Sequence, residues 1–137
     1  MELTVIQALI IAIWVALIES RCLGYATLTL RFSPLMTGFV CGAVMGNVSE
    51  AMMVTATIQL IYMGAVAPGG TLPSEPAIAA AIAVPVSLIG NLSPNQAVAI
   101  AVPVGLLGSY LYQFRFFLNT FFTKVMDKYA AEGDGRR

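Results

Sequence analysis

The chain contains no histidine. That removes the commonest general base, the commonest metal ligand and any phosphohistidine relay, so chemistry done to a solute must come from another polypeptide. Charge is scarce too: 10% of the 137 residues are charged, with seven of each sign and a formal net charge of zero. A soluble domain averages roughly a quarter charged residues, so this chain cannot cover its own surface with polar groups. The balance of signs leaves no basic footprint for nucleic acid. The two cysteines, Cys22 and Cys41, have neither C-x-x-C nor metal-ligand spacing and read as small buried hydrophobes. No paired acids share a helix face and no metal-ligand cluster is present, which argues against a self-sufficient membrane enzyme and calls for no metal or cofactor. The N-terminus opens with Glu2 rather than a basic region and lacks a small-residue cleavage site, so it reads as part of the mature protein rather than a signal peptide.

What remains is 58% hydrophobic, with a mean hydropathy of +0.84, and such a chain belongs in a lipid bilayer. The expected fold is an all-α membrane protein: several short or re-entrant helices plus a kinked transmembrane helical hairpin. Leu3 to Ile18 is an apolar helical run ending at Glu19-Ser20-Arg21. It is slightly short of the about 20 residues that span a bilayer. Glu19 and Arg21 either offset each other's charge against protein or water, or lie in an interfacial turn. Arg31-Phe32-Ser33-Pro34 is a helix start, with Ser33 as cap and Pro34 at the first helical position. Gly38, Gly42 and Gly46 then share one helix face, where another backbone can approach closely. Asn47 and Glu50 form the next start, as in a capping box.

The helix from about Val48 to Ala67 carries Thr55, Gln59 and Tyr62 at i, i+4 and i+7, hence on one face. A hydroxyl, an amide and a phenol on an apolar helix suit a sugar, or else bond to neighbouring helices. The helix breaks at Pro68-Gly69-Gly70, and Pro73 follows. Glycine allows backbone angles that other residues avoid, and proline forbids a continuous helix. Non-helical backbone persists at membrane depth only where it is buried in protein or lines a wet cavity. The break, with Gly69 and Gly70, is therefore read as part of a solute site. Ser74-Glu75-Pro76 restarts the helix. Glu75 is the only acid between Glu50 and Asp127, and it either complements the positive end of that helix or accepts hydrogen bonds from solute hydroxyls.

Residues 77–92 and 97–114 form the hairpin, sharing the phrase Ile-Ala-Val-Pro-Val-x-Leu-x-Gly. Pro85 and Pro103 should kink its arms, and Ser93-Pro94-Asn95-Gln96 caps the second. From Tyr110 an aromatic belt passes into a basic end with Arg115, Lys124 and Lys128, an interface anchor on the cytoplasmic side by the positive-inside rule. The chain thus divides into a membrane domain, 1–114, and an amphipathic cytoplasmic segment with a disordered tail, 115–137.

The order of a short first helix, Arg31-Phe-Ser-Pro-Leu35, a glycine-rich run, Thr57-Ile-Gln-Leu-Ile-Tyr-Met-Gly64, Pro68-Gly-Gly-Thr-Leu-Pro73 and an aromatic-to-basic end resembles a known family. It is the membrane IIC subunit of the mannose/fructose/sorbose family of the sugar phosphotransferase system, closest in flavour to the galactosamine and N-acetylgalactosamine permeases. The resemblance spans about residues 1–130 and is most specific over 55–76. The family's Gly-Thr-Leu-Glu-type motif falls on Ala56-Thr57-Ile58-Gln59, with Gln59 at its acidic or amide position and alanine where glycine is usual. The resemblance implies a multi-pass protein of the bacterial inner membrane that pairs with a IID subunit in an oligomer. It also implies sugar binding within the membrane and hand-over to a IIB phosphohistidine charged by IIA. Complete members are about twice as long, so the chain is expected to be the N-terminal half of such a subunit, a truncated form whose transport is in doubt. The rival expectation is a small structural or assembly protein of the membrane with no solute site.

Overall fold

Polar residues at the ends of apolar runs set where the helices begin in the computed structural model, which describes residues 3–20, 22–64 and 74–131. Thr4 opens α1 (Val5–Glu19) with a capping box: its hydroxyl accepts from the Gln7 amide N–H, while the Gln7 side chain accepts from the Thr4 N–H. Gly24, at φ 60°, turns the chain into α2 (Tyr25–Arg31). Pro34 starts α3 (Pro34–Met45), and Gly46 ends it in the left-handed region at φ 76°, where a side chain would be strained. Asn47 caps α4 (Val48–Tyr62), accepting from the Glu50 N–H and donating to the Glu50 carboxylate. Pro76 starts α5 (Pro76–Gly90). Ser93 and Gln96 make a second capping box ahead of α6 (Pro94–Ala131).

The helices α3 and α4 form one antiparallel hairpin, and α5 and α6 another. Glycine fixes the register of each. A methyl group added at Gly38 would overlap Thr55, and one at Gly42 would lie 2.7 Å from Ala51 Cβ. The face formed by Gly38 and Gly42 is therefore the seam, as their spacing suggests, whereas Gly46 serves the turn. In the second hairpin Gly108 faces Glu75, and Gly105 faces Ala79, Ser74 and Tyr62. The seams are filled by small side chains: Ala51, Ala79, Ala80, Ala83, Ala97 and Ala101 are all buried. α1 lies against α3 and α5, tied by Gln7 Nε2 to the Val44 carbonyl at 3.0 Å and by Trp14 Nε1 to Thr37 Oγ1 at 3.4 Å.

Both hairpins start alike. Ser33 has φ −110° and ψ 91°, Glu75 has φ −109° and ψ 94°, and each precedes a proline at the first helical position. α1, α4 and α5 have 15 residues each, about 22 Å at 1.5 Å per residue, short of the roughly 30 Å hydrocarbon core. Among the described residues, α6 is the one helix long and apolar enough to cross alone. α2 and α3 qualify together but are bent by 79°, as in a broken span or a re-entrant loop. Six helices, with no strand among the described residues, make an all-α membrane architecture.

α6 runs unbroken past residues 114 and 115 as far as Ala131, and the two arms of the second hairpin carry Pro85 and Pro103 within their helices. Three sequence readings change. Cys22 is exposed, in contrast to the buried Cys41. Ser33 makes no side-chain capping bond. The helix expected to reach Ala67 ends at Tyr62, and residues 65–73, Arg21 and the tail 132–137 lie outside the described residues.

Candidate functional site

Three helix ends meet where the hairpins begin: the last residues of α1 and α2, and the residue before α5. They bring Glu19, Arg31 and Glu75 together. An isolated charge at membrane depth is costly, so such groups find partners. Arg31 holds Glu75 in a two-point grip, Nε donating to Oε2 at 2.8 Å and Nη2 to Oε1. The same Nη2 lies 3.3 Å from Glu19 Oε2. Glu75 is wholly buried and Arg31 is 4% exposed. The planar, forked guanidinium suits this task where a point-charge ammonium would not.

α6 closes the cluster from the other side. The Arg31 guanidinium sits over the Tyr112 ring at 4.0 Å, and that of Arg115 lies 4.9 Å from the same ring. Arg115 Nη1 also donates to the Glu19 backbone carbonyl at 3.2 Å. Two carboxylates and two guanidiniums thus share one patch, and their formal charges cancel. Gly108 admits the Glu75 side chain against α6.

A neutral polar layer adjoins the ions. Ser74 Oγ donates to the Tyr62 hydroxyl at 3.2 Å, and that hydroxyl donates to the Ala101 carbonyl at 3.3 Å. The Glu75 backbone N–H donates to the Gly105 carbonyl at 3.0 Å. Gln59 Oε1 accepts from the Leu35 N–H at 3.5 Å, so Gln59 on α4, rather than Ser33, serves the free N-terminus of α3.

The candidate residues read from the sequence are therefore only partly gathered. Tyr62 and Glu75 meet through Ser74. Gln59 lies one turn away, at the start of α3. Thr55 is deeper in the first seam, wholly buried against Gly38, with its hydroxyl donating to the Ala51 carbonyl of its own helix. Gly69 and Gly70 fall outside the described residues. The sequence left Glu19 either paired with Arg21 or in an interfacial turn; Arg21 lies outside the described residues, and among those described Glu19 pairs with Arg31. Arg31, Tyr112 and Arg115 were missed as site residues. A signal for Arg31 was available: it is the only cation between Arg21 and Arg115, as Glu75 is the only acid between Glu50 and Asp127.

Short paired hairpins around a buried ion cluster define a helical membrane protein with a polar centre where its helices break. A family model described as the PTS system sorbose-specific IIC component matches residues 5–137. The chain belongs to that family. IIC components are the translocating membrane subunits of sugar phosphotransferase permeases, which places this chain among membrane components of sugar transport. No individual curated protein matches it.

Proposed function

We propose that the chain binds a sugar within the bilayer and passes it to the cytoplasmic side, as a multi-pass component of the bacterial inner membrane. The observation that carries this reading is Glu75: a carboxylate wholly buried at a helix start, in contact with a guanidinium and beside the Tyr62–Ser74 pair. Burying a carboxylate and its counter-ion is a poor way to stabilise a fold, and an ionisable residue at membrane depth points to function. Gln59, Tyr62 and Glu75 supply the amide, phenol and carboxylate that hydroxyls need. Gly69 and Gly70 are assigned to the same site from the sequence alone, and Thr55 holds α4 against α3 behind it.

The substrate in this reading is an amino sugar such as N-acetylgalactosamine. The 55–76 segment resembles permeases of that kind, and a cluster with two carboxylates suits a ligand rich in hydrogen-bond donors. A IID subunit completes the membrane oligomer, and phosphoryl transfer falls to IIA and IIB, since this chain has no histidine to carry the phosphate. The test is binding of labelled N-acetylgalactosamine and galactosamine to vesicles holding the chain with a IID partner. Gln59→Leu should weaken binding about tenfold or more, the cost of leaving a buried hydroxyl unpaired. A scaffold without a solute site would bind neither sugar.

A further inference from the structure

The hydroxyls of threonines within these helices are mostly spoken for. Thr55, Thr57 and Thr120 each donate to the carbonyl four residues back. Thr27 cannot do so. It lies in the first turn of α2, and residue 23, four back, precedes the helix. Its backbone N–H already bonds the Gly24 carbonyl at 3.2 Å. The residue is 3% exposed, yet its Oγ1 has no hydrogen-bond partner among the described residues. A second atom shares this condition: Glu19 Oε1, on the carboxylate whose other oxygen touches Arg31. Buried polar atoms of this kind are uncommon and costly to leave unmade.

Thr27 and Arg31 line a cavity of about 360 Å³ with Gly24, Tyr25 and Leu28. That volume falls within the range of small-molecule sites, about 300–1,000 Å³. Tyr25 and Leu28 are largely exposed and form its rim. Between them, Thr27 can donate and accept, and the guanidinium beyond it donates. The charge of that guanidinium is already met by Glu75 and Glu19. Such a lining suits a neutral polyhydroxylated molecule better than a simple ion. The larger cavity between α1 and α5, lined by residues such as Ile11, Val15, Ile82 and Val86, offers aliphatic carbon with nothing to recognise a hydroxyl.

We infer that the sugar site reaches across the ion cluster onto α2, where Thr27 makes direct contact with a sugar hydroxyl. This rests on the sugar-binding reading above, and adds to it a second wall drawn from α2. The pair Arg31–Glu75 then stands between the two walls, touched from one side by the Tyr62 layer and from the other by the Thr27 cavity.

The experiment measures Kd for labelled N-acetylgalactosamine in vesicles holding the chain with its IID partner, alongside thermal unfolding of each variant in detergent. Thr27→Val keeps the shape and deletes the hydroxyl, and should raise Kd about tenfold, as one lost hydrogen bond implies. Thr27→Ser restores the hydroxyl and should bind as the unaltered chain does. Leu28→Trp, at the rim, should weaken binding by filling the cavity, and decides the matter if Thr27→Val does not fold. Unchanged affinity in Thr27→Val or, failing that variant, in Leu28→Trp overturns the inference. If Gln59→Leu nevertheless binds poorly, the broader reading stands without it. No binding by the unaltered chain overturns both.

Discussion

Arg31 and Glu75 are 44 residues apart in the chain, and each is buried for the other's sake. Removing one partner of such a pair leaves an uncompensated charge and costs about 3–5 kcal/mol, whereas replacing both by apolar groups is much milder. Arg31→Met should therefore destabilise the chain strongly in detergent, and Arg31→Met with Glu75→Leu should recover most of the loss. Denaturant titration followed by helix content measures both. A double variant no more stable than the single one would show that the pair is not a unit. Glu75 was legible in the sequence because a carboxylate stands out in an apolar stretch. Its partner was not, because a linear reading weighs near neighbours first and Arg31 is remote from it in the chain. The fold instead brings together the ends of separate helices. Gln59 shows the same limit: its place in the chain was marked, but its bond to Leu35 depends on how the hairpin closes.

Among the elements, the seam between α3 and α4 is the tightest contact that glycine makes possible. Gly38→Val should push the helices apart at Thr55 and cost about 1–3 kcal/mol or more, read as a lower midpoint of unfolding in detergent. Gly64, with nothing among the described residues within 4 Å of an added methyl, provides the control: Gly64→Ala should change stability by no more than about 0.5 kcal/mol. The glycine spacing and the proline starts at Pro34 and Pro76 were readable because they constrain backbone directly. The continuity of α6 was not. A change from apolar to aromatic and basic side chains alters what a helix touches, but after Gly108 no glycine or proline interrupts it before Ala131. Nor could spacing alone separate Gly46 from the seam glycines, since its role is a left-handed turn.

For the whole molecule, α6 carries a long apolar surface outward, with Leu107, Leu111, Phe114, Phe117 and Phe121 exposed along it, while Lys124 and Lys128 follow in the same helix. If this end faces the cytoplasm, Lys128→Cys in a chain with Cys22 and Cys41 replaced by alanine should react with a membrane-impermeant maleimide in inside-out vesicles and not in right-side-out ones. The opposite labelling would reverse the orientation. The two hairpin tips are self-contained: Asn47 bonds Glu50 and Ser93 bonds Gln96, so each bend satisfies its helix start from within. A displacement of either hairpin as a unit would leave those bonds intact. The resistance to such a displacement lies in small side chains packed along the seams, in the bonds of the Tyr62 hydroxyl to Ser74 and Ala101, and in the grip of one guanidinium.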